Sequence, residues 1–371
     1  MNPDTALFAP FACRGVTFRN RIMLSPMCQY VAEDGHATAW HRAHHARFAL
    51  GGIGGAVLEA TAVTPAGRIT PGCLGIWSDA HVAGLAEIVG TYHDHGVTVG
   101  IQLAHAGRKA SAAVPWEGAQ PLAADDPRAW QALAPSAEPF LDGWPVPLAM
   151  DEAAIEAVID AFVAAGLRAV AAGFDFVEVH GAHGYLLHSF VSPLSNRRND
   201  GWGGDEAGRF RLPLAIVARL RAALPPTMPI FYRLSLYDGV EGGLVVDDMV
   251  RLAAALRAAG VDVVDCSSGG VRGSSGVADM PPAPGYLVPA AGRVRREAEV
   301  ATMAVGLIVT SQIAAAAVDQ GQADLVAIGR ELLADSNFAY RAAMELGVPE
   351  AHKLLPRNYA FFLERRKLRE R

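Results

Sequence analysis

The stretch "DEAAIEAVIDAFVAAGLRAVAAG" (151–173) runs directly into "FDFVEVH" (174–180). The first part sets apolar residues at helical spacing and stops at Gly173, a usual helix stop. The second part is short, apolar and β-rich. A helix that hands over to a buried strand is one repeat of an alternating architecture, and the rest of the chain repeats it. Further strand candidates are "RIMLSPM" (21–27), "GAVLEATAV" (55–63), "VTVGIQLAH" (97–105), "PIFYRLSLY" (229–237), "VDVVDCSS" (261–268), "VATMAVGLI" (300–308) and "ADLVAIGR" (323–330). Further helix candidates are 37–50, 246–260 and 311–321, and the last two also end in glycine, at Gly260 and Gly321.

Near-continuous Val/Ile/Leu strands separated by helices are parallel strands buried on both faces. Eight such units predict a single (β/α)₈ barrel domain spanning 1–371. The competitor is a doubly wound open sheet. That fold would normally carry a phosphate fingerprint after its first strand, and neither G-x-G-x-x-G nor G-x-x-x-x-G-K-[ST] occurs here. Two long loops interrupt the alternation, 106–150 after strand three and 269–289 after strand six. Loops of this length inside a barrel are usually functional, and these would lie over the C-terminal mouth.

Composition narrows the partners. The chain has 371 residues, 51% of them hydrophobic, with a net charge of −6. Such a balance does not favour nucleic acid, and the basic run 364–371 reads as a solvated tail. No apolar run reaches the roughly 18 residues that span a bilayer. The start "MNPDTALFAP" lacks the basic opening of a secretory signal. Four cysteines (Cys13, Cys28, Cys73, Cys266) are scattered without C-x-x-C, which fits a reducing, cytoplasmic setting.

Barrel chemistry sits where strands end. Those positions hold Cys28 and Tyr30, Ala60 and Thr61, Gln102, Arg108 and Lys109, His180, His183 and Tyr185, Arg233, Gly306, Gly329 and Arg330. Gly306, Gly329 and Arg330 suit a phosphate: glycines bring backbone N–H groups close, and Arg adds a charge-assisted contact. The plainer reading makes them turn residues and a strand cap. Arg233 on an apolar strand is either half of an internal salt bridge or a charge placed beside an electron-rich cofactor. His180 and His183 read as half a metal site or as a pair of N–H donors on one substrate oxygen, with Tyr185 as proton donor. The metal reading lacks a third ligand. Cys28 is a packing residue or a nucleophile paired with a histidine. The histidines of 40–48 and 92–96 fall in helical stretches and read as surface or packing residues.

Taken together, "SPMCQY", "EATAVTPAGRITPGCLGIW", "IQLAHAGRKAS", "EVHGAHGYLLHSFVSPLSNRRND" and "ADLVAIGRELLAD" resemble the old yellow enzyme family, in its bacterial xenobiotic-reductase or thermophilic-like branch. The resemblance runs in order from Phe8 to the C-terminus. It implies non-covalent FMN in the barrel, NADPH or NADH as reductant, and hydride transfer to alkenes conjugated to a carbonyl or nitro group. By that resemblance Pro26, Met27, Ala60, Gln102 and Arg233 contact the flavin, and Gly306, Gly329 and Arg330 hold its phosphate. Cys28 lies near the flavin and tunes it, Tyr30 helps bind the substrate oxygen, His180 and His183 grip that oxygen, and Tyr185 protonates carbon. Relatives in the branch are homo-oligomers whose C-terminal segment enters a neighbouring site, which assigns 350–371, and Phe361 or Phe362 in particular, to that role. The chain departs from the pattern with Trp202 for Tyr and Val305 where some relatives carry Trp. Dihydrouridine synthases, dienoyl-CoA reductases and a metal-dependent barrel hydrolase are the alternatives.

Overall fold

Each of the eight apolar runs contains a strand. They are β1 (Ile22–Leu24), β2 (Gly55–Ala62), β3 (Thr98–Ala104), β4 (Phe176–Gly181), β5 (Ile230–Ser235), β6 (Val263–Ser267), β7 (Ala301–Ala304) and β8 (Leu325–Ile328). Neighbours pair in parallel around the ring, and β8 returns to β1, so the sheet closes. The computed structural model describes residues 3–273 and 283–366. Part of the loop after β6 and the last five residues of the basic run therefore lie outside the described residues. No described helix is long and apolar enough to cross a membrane.

β2, β4, β5, β6 and β8 are buried along their whole length, which is why they read as continuous apolar runs. The strands are shorter than those runs because the apolar sequence continues into the βα loops. Pro26, which has no N–H for a ladder, follows β1, and Gly306 turns the chain after β7 with φ +104°.

The outer ring begins with α1 (Ala39–Ala49), α2 (Val82–His93) and α3 (Glu152–Ala171). It continues with α4 (Leu186–Val191), α5 (Glu206–Ala223), α6 (Val246–Ala259), α7 (Val288–Glu297) and α8 (Ser311–Asp319). It ends with α9 (Arg330–Ala334), α10 (Phe338–Leu346) and the terminal α11 (Arg357–Leu363). α3 shows why these segments are helical. Asp151 caps it by accepting the Ala154 N–H at 2.8 Å, a contact worth about 1 kcal/mol. Ile155, Val158, Ile159, Phe162, Ala165 and Ala169 then form one buried stripe.

Strand alternation stacks the barrel interior in layers. At the N-terminal end Phe176 and Phe231 pack with centroids 4.5 Å apart. Phe18, from the antiparallel hairpin Phe11–Cys13/Val16–Phe18, closes the bottom edge-on to Phe176 at 5.6 Å. Two residues further along the strands come Gln102, Glu178, Arg233 and Asp265, a buried polar layer. Two further still come His180, Ser235 and Ser267. The apolar plug therefore supports a charged floor, and the floor supports the site.

Candidate active site

A cavity of about 540 Å³ lies among the C-terminal ends of the strands. Its lining includes Ser25, Pro26, Met27, His183, Arg233, Ser267, Tyr286, Val305, Gly306, Leu307, Ile308, Gly329 and Arg330. Seven of the residues singled out in the sequence thus share one wall: Pro26, Met27, His183, Arg233, Gly306, Gly329 and Arg330. Both glycines stand where a side chain would intrude. A Cβ on Gly306 would lie 3.0 Å from the Tyr286 ring, on a backbone at φ +104°, and one on Gly329 would lie 3.3 Å from Met27 Sδ. Ser25, Ser267 and Tyr286 escaped sequence reading. Strand alternation from Asp265 could have found Ser267; Tyr286 lies in the irregular loop after β6, where no period applies.

The loop after β4 assembles the second part. His180 and Tyr185 pack ring to ring at 4.9 Å, His180 and His183 at 5.2 Å, and His183 and Tyr185 at 6.5 Å. His180 Nδ1 accepts the Ala182 N–H at 3.2 Å, so Nε2 carries its proton. His183 Nε2 lies 2.6 Å from Ser267 Oγ. Burial first, and then the Arg233 charge, hold both imidazoles well below their usual pKa, so both are neutral at pH 7. Burial raises the Tyr185 phenol, which keeps its proton.

His183 has φ +60°, and the chain around it is pinned from four sides. Its N–H donates to Ser235 Oγ at 3.0 Å, and its carbonyl accepts from Lys109 Nζ at 3.0 Å. His188 Nδ1 accepts the Gly184 N–H at 2.8 Å, while Nε2 reaches Asp238 at 2.8 Å. A Cβ on Gly184 would strike the Gly270 carbonyl at 2.0 Å. His188 thus anchors the loop.

The floor shows Arg233 as half of an internal salt bridge. Its Nε is 3.1 Å from Asp265 Oδ2, and the side chain also lines the cavity. Gln102 Nε2 donates to Glu178 Oε1 at 2.7 Å. Burial pushes both carboxyls up, and Arg233 pulls both back. Glu178 Oε2, both Asp265 oxygens and Arg233 Nε have no hydrogen-bond partner within the protein.

The loop after β1 carries half-buried Cys28 and Tyr30. Burial raises the Cys28 thiol well above its ordinary value, which disfavours the nucleophile reading. Tyr30, at φ +56°, is crossed edge-on by Trp116 of the 106–150 loop at 5.9 Å. Ala60 is buried and pairs with Gln102 across β2 and β3. Phe362 is not brought to this cavity; it stands on α11 with 73% of its surface exposed. Trp202 is buried against Arg211 and is not among the lining residues, whereas Val305 is. His41, His44 and His45 of α1 are buried packing residues. Among the described residues no three His, Cys, Asp or Glu side chains are grouped to hold a metal ion.

The residue set fits FMN. Gly306 and Gly329 leave backbone open beside Arg330 at one end, as a phosphate needs. Met27, Val305 and Ile308 offer an apolar wall to a flat ring, and Arg233 projects a cation into the cavity from the Asp265 floor, where Glu178 Oε2 has no hydrogen-bond partner within the protein. Those four features would be met by a planar, electron-rich ring carrying an anionic tail.

Comparison with known proteins agrees. Residues 6–348 match the NADH:flavin oxidoreductase / NADH oxidase family. The chain is 44% identical over 347 residues to an NADPH dehydrogenase of Geobacillus thermodenitrificans (strain NG80-2), covering 93% of this chain and 96% of that one. It is 40% identical over 342 residues to an NADPH dehydrogenase of Bacillus subtilis (strain 168), covering 92% and 95%. Morphinone reductase superposes with TM-score 0.76 at 25% identity, over 93% of this chain and 90% of that one. A 2-naphthoyl-CoA reductase superposes with TM-score 0.82 at 22% identity, over 93% of this chain but 53% of that one, so this chain spans about half of its length. With an old-yellow-enzyme barrel, a lining suited to FMN and close relatives that oxidise NADPH, the chain belongs to the NADH:flavin oxidoreductase / NADH oxidase family of FMN-dependent enzymes.

Proposed function

We propose that this chain reduces the C=C bond of small alkenes conjugated to a carbonyl or nitro group, using NADPH or NADH, with one site serving both half-reactions in turn. FMN, when bound, supplies hydride for the alkene β-carbon. Every other part belongs to the protein. His180 offers its Nε2–H to the activating oxygen. With the Ser267 hydroxyl donating to Nε2 of His183, that ring carries its proton on Nδ1 and offers it to the same oxygen. Two neutral imidazoles polarise the carbonyl and stabilise the charge that builds on oxygen. Tyr185, whose phenol stays protonated, gives its proton to the α-carbon. Tyr30 supports the substrate oxygen, and the protonated Cys28 thiol shapes the flavin side of the pocket. Ala60, Gln102 and Arg233 hold the flavin from the floor, Pro26 and Met27 from the β1 side, and Gly306, Gly329 and Arg330 at the phosphate.

One observation carries this reading over a metal hydrolase: the side chain packed edge-on against His180, at 4.9 Å, is the Tyr185 ring and not a further imidazole, thiol or carboxylate. In this reading the enzyme is cytoplasmic and works as a homodimer or larger homo-oligomer. The test is anaerobic. NADPH should bleach the yellow protein, and 2-cyclohexenone, a maleimide or a nitroalkene should restore the colour with one equivalent of saturated product. Reoxidation by oxygen or quinones alone, with every alkene recovered intact, would overturn the proposal.

A further inference from the structure

Glu59 is buried, charged in principle, and unused by the mechanism above. β2 and β3 pair Leu58 with Ile101 and Ala60 with Gln102, so Glu59 is an extra residue bulged out of the ladder. The bulge turns its carboxyl away from the barrel interior and under the loop after β1. Oε2 accepts the Gln29 N–H at 2.8 Å. Oε1 lies 3.5 Å from His41 Nε2, and both side chains are within 1% of complete burial. His41 Nδ1 accepts the Thr38 N–H at 3.0 Å, so Nε2 is the protonated nitrogen and faces Glu59. The carboxyl therefore accepts a hydrogen bond from the β1 loop and faces the His41 imidazole of α1. The loop it holds contains Tyr30 in a left-handed backbone conformation, which costs a side-chain-bearing residue about 1–2 kcal/mol and persists where the surroundings enforce it. Cys28 and Tyr30 flank Gln29, whose N–H is the one that Glu59 holds.

We propose that Glu59 is a positioning residue: it fixes the Cys28–Tyr30 segment, which follows the cavity-lining Pro26 and Met27, and thereby presents the Cys28 thiol and the Tyr30 hydroxyl to the substrate. This rests on the ene-reductase reading for what the segment contacts, but not for how the segment is held. Glu59 touches neither substrate nor flavin.

Two readouts on the FMN-loaded enzyme test it, with Glu59→Gln as the mild variant and Glu59→Ala as the severe one. The first is alkylation by iodoacetamide, followed peptide by peptide. Cys28 should react about tenfold faster in Glu59→Ala, because its segment is released, while half-buried Cys13 and buried Cys266 keep their wild-type rates. A parallel rise at all three sites would mean general loosening, and an unchanged Cys28 rate would mean that Glu59 holds nothing; either result overturns the proposal. The second readout is the affinity for 4-hydroxybenzaldehyde, read from the flavin spectrum, in a double-mutant cycle of Glu59→Gln with Tyr30→Phe. A residue acting through Tyr30 gives non-additive losses, and additive losses overturn the proposal. A wild-type enzyme that binds no phenol would instead count against the proposed function, leaving the alkylation result to decide on Glu59. Because Glu59→Gln keeps the size and an acceptor oxygen, it covers the case in which Glu59→Ala does not fold.

Discussion

Tyr185 and Gly306 show how single residues divide the work between proton and cofactor. Tyr185→Phe keeps the ring on His180 and removes only the hydroxyl. Reoxidation of the reduced enzyme by an enone should slow by about 10²–10⁴, the usual worth of a placed acid, while bleaching by NADPH proceeds as before. Stopped-flow measurement of each half-reaction checks this, and equal slowing of both would remove Tyr185 from its role. Gly306→Ala acts on the other end. At φ +104°, with a Cβ 3.0 Å from Tyr286, the new methyl costs about 1–2 kcal/mol and pushes into the phosphate cradle, so FMN affinity should fall about tenfold. Titration of the apoprotein with FMN measures it, and undiminished affinity would mean the phosphate lies elsewhere. The residues that sequence reading found are those whose type is odd for their place: histidines and a tyrosine in a loop, an arginine on an apolar strand. Ser267 and Glu59 stayed hidden because serine at a strand end is ordinary and because a bulge leaves no mark in composition.

Elements meet over the site through Lys109, which the loop after β3 supplies. Its Nζ donates to the carbonyl of His183 after β4 and to that of Gly270 after β6, and lies 5.2 Å from the Tyr185 ring centre. Burial, helped by Arg108, lowers its pKa from 10.5 to about 8. The sign follows from proton counting. Between pH 8 and 10.5 the unfolded chain holds a proton that the folded chain has released, so stability rises with pH through that window. Below pH 8 the full cost of the buried charge is present. The stability of the wild type relative to Lys109→Met should therefore increase from pH 8 to 10.5 by about 2–3 kcal/mol, measured by urea denaturation. A difference that stays flat with pH would show that Lys109 titrates normally. The strands themselves were legible because a strand buried on both faces must be apolar throughout, and all eight runs contain one. Their ends were not, since the apolar sequence of 21–27 and 300–308 runs on past Leu24 and Ala304 into the cavity wall. The 106–150 stretch was legible as a long loop and not as a set of contacts: Arg108 donating to Val271 and Trp116 crossing Tyr30 depend on a path that no period encodes.

The molecule as a whole presents one feature that a lone barrel leaves unexplained. None of the seven residues of α11 is buried, and Tyr359, Phe361 and Phe362 are 48%, 50% and 73% exposed. Three large rings on a two-turn helix form the kind of apolar patch that soluble monomers rarely leave open. Under the proposed homo-oligomer this helix meets a neighbouring copy, and Phe362 forms part of that copy's substrate wall. Exposed side chains contribute little to the stability of their own chain, so the variant Phe361→Ser/Phe362→Ser should unfold within about 0.5 kcal/mol of the wild type when both are compared as monomers, at protein concentrations below the dissociation constant of the oligomer. Sedimentation of the FMN-loaded protein should nonetheless shift from the oligomer toward the monomer, and phenol affinity should fall with it, because each site loses a wall it borrowed. Two results would separate the parts of this reading. A variant that stays oligomeric would place the interface elsewhere on the barrel. A variant that becomes monomeric yet binds phenols as tightly as the wild type would leave α11 as an assembly surface and return the whole substrate pocket to a single chain.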